Sequence, residues 1–206
     1  MGELRYAALI LAAGAGRRFG GHKLLALLDG RPILQHVLDA VASGGPAAVV
    51  VVLGADAPEA EALLVWRNEV RVINPDPDRG LSSSLKLGLA QIQALPDAET
   101  VDAVLVVLGD QPRTSAGVIR ALLETETDRP IVVPHYADGA RNPVLLHRAA
   151  WPLAAKASGD RGLGAFIDAQ PDLVLELPVA GANPDVDTPA DLAALAAEDP
   201  ATPSGG

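Results

Sequence analysis

Glycines and cations crowd into one stretch near the start of the sequence, Ala12-Ala13-Gly14-Ala15-Gly16-Arg17-Arg18-Phe19-Gly20-Gly21-His22-Lys23. Glycine lets a backbone approach a ligand closely and turn its N–H groups toward it. Arg17 and Arg18 each add a planar fork of donors, and Lys23 adds a mobile point charge, so the stretch suits a triphosphate. Two familiar phosphate loops do not fit it. A dinucleotide fingerprint counted from Gly14 and Gly16 meets Phe19 where its third glycine belongs. A Walker A loop from Gly16 through Gly21 needs Lys and then Ser or Thr, but His22 and Lys23 follow. A plain glycine-rich turn would leave the three cations unexplained.

Carboxylates that could meet a cation come later. Gly109-Asp110-Gln111-Pro112 follows directly on the most apolar run, so Asp110 should stand at the ligand-facing end of a strand. Its hard oxygens suit Mg²⁺, although capping of the next helix is the ordinary role of such an Asp. In Asn183-Pro184-Asp185-Val186-Asp187-Thr188-Pro189-Ala190-Asp191-Leu192, the alternating Asp185 and Asp187 point the same way if extended. Asp191 fits the first turn of the following helix better. Gly80-Leu81-Ser82-Ser83-Ser84-Leu85 enters a helix, where backbone N–H groups and hydroxyls could meet a base or ribose; N-capping explains it too. Arg141-Asn142-Pro143-Val144 and Gly159-Asp160-Arg161-Gly162 carry turn chemistry. Of the four histidines only His22 lies in a motif, and none receives a catalytic role.

Short apolar runs at 6–11, 47–53, 70–73, 101–108 and 130–133 read as strands, and two of them are apolar on both faces, as strands covered by helices must be. Helical periodicity falls at 32–43, 58–67, 82–94 and 115–124, with Pro32 in a first turn and Ser82 and Ser115 as N-caps. This alternation predicts an α/β chain with a doubly wound, mostly parallel sheet. Residues 134–146 read as a small inserted hairpin or loop around Asp138-Gly139. A helix near 148–156, a glycine-rich turn at 158–164, a strand at 173–177 and a last helix at 189–197 capped by Thr188 complete the reading. One domain is expected over 1–198, with 199–206 a disordered tail.

Bulk properties narrow the function. The formal net charge of -10 and only 3% aromatic residues argue against nucleic-acid binding, whether through phosphates or by base stacking. A small anion remains acceptable where Arg17, Arg18, His22 and Lys23 gather positive charge. The sequence has no cysteine, which excludes thiolate metal sites and cysteine nucleophiles and agrees with a reducing, cytoplasmic setting. The apolar stretch 6–15 lacks a basic leader and runs into Arg17 and Arg18, so it reads as a buried strand rather than a signal peptide. No run approaches the ~20 apolar residues that span a bilayer, so no membrane is expected.

Taken together, Leu11-Ala12-Ala13-Gly14-Ala15-Gly16-Arg17-Arg18-Phe19-Gly20, Lys23-Leu24 and Gly30-Arg31-Pro32-Ile33-Leu34 resemble the signature of the molybdopterin nucleotidyltransferases, most of all their cytidylyltransferase branch. The similarity runs from Leu4 to about Leu195, with its best motifs spread along the chain. It implies a Rossmann-like nucleotidyltransferase fold. It also implies a nucleotide site made of Leu11, Ala12, Ala13, Gly14, Gly16, Arg17, Arg18, Lys23, Gly80, Ser82, Ser83, Ser84 and Gly109. Arg18, Lys23 and Asp110 would be catalytic, Asp110 and Asp187 would hold Mg²⁺, and Arg141, Asn142 and Asp160 would face the acceptor. Ala13 stands where guanylyl-transferring relatives carry glycine, which implies CTP rather than GTP. The implied acceptor is a phosphorylated small molecule of the molybdopterin type, with a molybdoenzyme as a partner.

Two other classes remain open. A dinucleotide-dependent oxidoreductase would need an acidic residue about 20 positions past the loop on a second strand. Asp39 is the nearby candidate, and it falls in a predicted helix. A non-catalytic carrier that hands a cofactor to a partner enzyme would have no need of Lys23, Asp110 and Asp187 together.

Overall fold

The computed structural model describes residues 4–14, 16–159 and 162–198; the expected tail at 199–206, Ala15 of the glycine loop and Asp160 of the acceptor-side set lie outside them. In chain order the first half contains β1 (Tyr6–Ala12), β2 (Leu27–Leu28), β3 (Arg31–Pro32), α1 (Ile33–Ser43), β4 (Ala48–Leu53), α2 (Ala57–Leu63), β5 (Val70–Ile73) and α3 (Leu81–Gln93). The second contains β6 (Ala103–Leu108), α4 (Ala116–Glu124), β7 (Ile131–His135), β8 (Val144–His147), α5 (Trp151–Ala154), α6 (Leu163–Ala169), β9 (Val174–Pro178) and α7 (Pro189–Ala197).

β1 is buried along its whole length and lies in the interior of the sheet, as a run with no polar face requires. It pairs in parallel with β4 on one side and β6 on the other, in a seven-stranded order β5-β4-β1-β6-β8-β7-β9. Only β8 runs against its neighbours, pairing antiparallel with β6 and β7. The sheet is therefore mostly parallel, as expected. The hairpin around Asp138-Gly139 belongs to it, with β8 inserted between β6 and β7 rather than standing apart.

Successive side chains of β1 supply opposite layers. Leu9 and Leu11 pack with Leu85, Leu89 and Ile92 of α3. Ala8 and Ile10 pack with Leu34, Val37 and Leu38 of α1 and with Ile119 and Leu122 of α4. α3 approaches the sheet so closely that a Cβ at Gly88 would stand 2.2 Å from Leu9 Cδ1. A third, smaller cluster joins Leu28, Ile33, Val186 and Leu195, with Phe19 and Leu192 packed against it. This cluster ties the glycine loop to the segment before α7.

Several boundaries differ from expectation. Ser82 does not cap α3, because Gly80, at φ 86°, makes the entry and Ser82 lies buried in the first turn. Ser115 and Thr188 do cap their helices, accepting from Val118 N and Asp191 N. Pro32 precedes α1 as its N-cap residue. α2 stops at Leu63 because Val65 turns to the Gln35 amide, its N–H donating to Oε1 at 2.8 Å while its carbonyl accepts from Nε2 at 3.4 Å. Where a glycine-rich turn was expected at 158–164, Leu163 and Gly164 already belong to α6. The two-residue strands β2 and β3, joined by Asp29 and Gly30 with positive φ, were not foreseen. Among the described residues no helix is long and apolar enough to cross a membrane.

Candidate active site

The carboxyl ends of β1 and β6 lie side by side, so the loops that leave them meet. Gly109 N donates to Leu11 O at 2.9 Å, and a Cβ on Gly109 would stand 3.1 Å from that of Ala12. Glycine thus lets the two strand ends close up, which brings Asp110 beside the start of the glycine loop. A third segment arrives from far along the chain. Val186, fully buried, donates its N–H to Asp110 O at 2.9 Å and sets Asp185 and Asp187 on either side of that anchor. The capping box of α7 holds the same segment, with Asp191 Oδ2 accepting from Asp187 N at 3.0 Å and Thr188 N at 2.7 Å.

Lys23 joins these loops. Its Nζ donates to Asp110 Oδ2 at 2.6 Å and to Asp187 Oδ1 at 3.1 Å. Arg18 Nη2 donates to the other oxygen of Asp187 at 2.6 Å. Burial alone would lower the pKa of Lys23, but Asp110 and then Asp187 outweigh it and hold the ammonium above its ordinary value. Asp185 turns toward Gln111 and lines a neighbouring cavity. Although its outer edge is open to solvent, withdrawal of its carboxyl against the cavity wall and repulsion from Asp110 push its pKa up to about 6, against a hydrogen bond with Gln111.

The other expected residues distribute around this centre. Leu11, Ala12 and Ala13 are buried, and Gly14 is exposed. Gly16 has φ 57°, and a Cβ there would meet the Lys23 stem at 3.2 Å, so the lysine passes directly beneath the loop. Arg17 points away from the two carboxylates and pairs with Asp78, just ahead of α3, at 2.7 Å. His22 leans on Asp56 at 3.2 Å. At the start of α3 the Ser83 and Ser84 hydroxyls are already engaged, because Asn74 Nδ2 donates to Ser83 Oγ at 2.8 Å and to Ser84 Oγ at 2.9 Å.

Arg141 and Asn142 belong to the cavity, which has a volume of about 600 Å³ and opens between α3, α6 and the β7–β8 loop. Leu81, Leu85, Leu163 and Ile167 form apolar walls, and Gln111, Asp138, Arg141, Asn142 and Asn183 supply polar edges. Arg141 donates to Asp168 Oδ1 at 2.5 Å. Asn183 was not foreseen. It is fully buried, and its Nδ2 donates to Asn142 O at 3.0 Å and Gln111 Oε1 at 3.3 Å while its backbone carbonyl accepts from Gln111 Nε2 at 3.1 Å. It opens the Asn183–Leu192 motif, but there the carboxylates drew the assignment and Asn183 received no role of its own.

Among the described residues no group of three or more His, Cys, Asp or Glu side chains could hold a metal on its own. Asp110 and Asp187, converging on one ammonium, offer two hard-oxygen donors. That fits a divalent ion that completes its shell with phosphate oxygens and water.

An open, mostly parallel sheet with this order is a Rossmann-like nucleotidyltransferase fold, and solved structures share it along almost the whole chain. Rv0371c from Mycobacterium tuberculosis H37Rv matches with a TM-score of 0.83 and 28% identity, covering 95% of this chain and 98% of that one. A structure of Rv0371c in complex with manganese matches at 0.81 and 26% identity, covering 94% and 98% of the two chains. The chain belongs to the family of the MobA-like NTP transferase domain, whose model matches residues 8–174. The matched span ends before Asp185 and Asp187. Nicotine blue oxidoreductase of Paenarthrobacter nicotinovorans is 32% identical over 191 residues, covering 87% of this chain and 91% of that protein. The bifunctional protein GlmU of Desulfitobacterium hafniense is 35% identical over 164 residues, which are 79% of this chain. The matched region is 31% of GlmU, so the chain spans about a third of that relative's length.

Proposed function

We propose that the chain transfers CMP from CTP to a phosphorylated small-molecule acceptor in the cytoplasm, with Mg²⁺ as cofactor and release of pyrophosphate. The observation that carries this reading is the junction of Lys23, Arg18, Asp110 and Asp187 at the carboxyl ends of β1 and β6. A phosphate oxygen of the acceptor attacks the α-phosphorus. The bond from that phosphorus to the oxygen bridging toward the β-phosphate breaks, and pyrophosphate leaves with the bridging oxygen. A phosphate nucleophile is already ionised at neutral pH, so no general base is required. The chain's work is alignment and charge neutralisation, by Lys23 and Arg18 on the triphosphate and by the glycine-loop N–H groups.

Asp110 and Asp187 are the residues that would hold the divalent cation, which supplies further neutralisation of phosphate oxygens when bound. The manganese complex of Rv0371c supports a divalent ion in this architecture. For the base, the buried Ala13 methyl supports a pyrimidine. Gly54 packs beneath Ala13 so tightly that a Cβ there would stand 2.6 Å from Ala13 O, and the segment has no room to retreat. The apolar-walled cavity beside Asp185 is the acceptor site in this reading, with Arg141 and Asn142 at its edge. Its walls suit the flat ring system of a molybdopterin-type acceptor, which a molybdoenzyme would then receive.

A second reading has one observation of its own. The relative matched over 91% of its length is called an oxidoreductase, so hydride or electron transfer on the same fold is the competing activity. One experiment separates the two. Purified protein with Mg²⁺ is screened with each of the four NTPs against molybdopterin and sugar-phosphate acceptors, with NAD(P)H consumption followed in parallel. Pyrophosphate release dependent on CTP and molybdopterin is the expected result. NAD(P)H consumption without pyrophosphate release from any pair would sink the transferase reading.

A further inference from the structure

Lys23 is bound to the two carboxylates assigned to the metal rather than extended toward the loop that would hold phosphates. We propose that its ammonium is a tethered stand-in for the divalent cation, keeping Asp110 and Asp187 together until metal and triphosphate arrive and take both sets of partners at once. The inference rests on the reading of Asp110 and Asp187 as metal ligands.

The geometry is specific. Nζ stands 2.6 Å from one carboxylate and 3.1 Å from the other, so it occupies the region a cation shared by both would occupy. The Lys23 side chain is only 9% exposed, against 74% for Arg18, so these contacts are sheltered from solvent where those of Arg18 are not. An ammonium and a divalent ion cannot both fill that region, and their like charges repel strongly at such distances. Metal binding therefore expels Nζ. The amine has a short route out, because its stem packs against the backbone at Gly16 and lies directly under the glycine loop. A triphosphate bound in that loop gives the departing ammonium a new anion.

The exchange makes the two ligands depend on each other. Metal alone must displace Lys23 into a place with no compensating anion, whereas metal with triphosphate exchanges one ion pair for another. Lys23 thus opposes metal binding without nucleotide and favours it with nucleotide.

The test measures Mn²⁺ binding by titration calorimetry and by the electron paramagnetic resonance signal of free Mn²⁺. It compares wild type with Lys23→Met and with Lys23→Gln, whose neutral amide keeps a polar tip, after circular dichroism shows that each variant is folded. Without nucleotide, both variants should bind Mn²⁺ about tenfold tighter than wild type, since two carboxylates left without their cation gain most from a new one. CTP should tighten Mn²⁺ binding in wild type far more than in either variant. Equal or weaker Mn²⁺ binding by the folded variants would overturn the stand-in role while leaving the metal site intact. Failure of wild type to bind Mn²⁺ even with CTP would instead remove the metal assignment, and this inference with it.

Discussion

Two charges at the centre of the site behave unlike their surface counterparts. An exposed ion pair such as Arg17–Asp78 contributes about 0–1 kcal/mol and is readily exchanged for another partner. The Lys23–Asp110 pair is sheltered, so removing one member leaves the other poorly solvated. Asp110→Ala should therefore abolish pyrophosphate release by orders of magnitude. The far-UV circular dichroism should hardly change, because the Asp110 side chain is not part of the core. Undiminished turnover would remove Asp110 from the site. Ala13→Gly tests base choice, since deleting one methyl changes discrimination by about tenfold. The ratio of GTP to CTP turnover should rise by that order, and an unchanged ratio would mean that the base is read elsewhere. At this scale the sequence was legible where residue type and strand end coincide, as at Asp110, and where cations cluster among glycines, as at Lys23. It was silent on which cation meets which carboxylate. Arg17 and Arg18 are adjacent and chemically identical, yet one pairs with Asp78 and the other with Asp187. Side-chain direction out of a glycine-rich loop depends on backbone torsions that residue types do not dictate.

The elements explain how carboxylates so distant in sequence find each other. β1 and β6 were legible because an unbroken apolar run has only one suitable home, the centre of a covered sheet. β8 was not, since four residues following Asn142-Pro143 carry no mark of which way they run or between which strands they insert. α6 escaped notice because it has only seven residues, follows Gly162 and contains Gly164, all of which weaken a helical pattern. α7 was legible from Thr188-Pro189 and Asp191, and its cap does more than end the helix. The same carboxylate that completes the capping box accepts from Asp187 N. Thr188→Ala should lower stability by about 1 kcal/mol. It should also raise the Mg²⁺ concentration needed for half-maximal turnover, because the segment carrying Asp187 loosens. A fall in melting temperature with an unchanged Mg²⁺ requirement would show the cap to be structural only.

For the whole molecule, the sheet edge divides the labour. The glycine loop lies over β1, and the cavity opens between α3, α6 and the β7–β8 loop, with Gln111 and Asp185 at the boundary. If the cavity receives the acceptor, Ile167→Trp should fill it. The KM for the acceptor should then rise at least several-fold while the stabilisation of the protein by Mg²⁺ and CTP, read as a shift in melting temperature, stays as in wild type. Loss of that shift would mean that the cavity serves the nucleotide instead. The net charge of -10 fits the proposed division, because an anionic substrate entering an acidic molecule would be drawn to the loop that carries Arg17, Arg18 and Lys23.

The contact between Val186 N and Asp110 O has a consequence in time as well as in space. Arg18 and Asp187 are separated by 169 positions, so a chain emerging from the ribosome can pair β1, β4 and β6 long before its second carboxylate exists. Until residue 187 has been delivered, the nascent sheet carries the glycine loop with only one of the two carboxylates that Lys23 joins. On the proposed reading, chemistry on nucleotides therefore waits until the framework that must withstand it has formed.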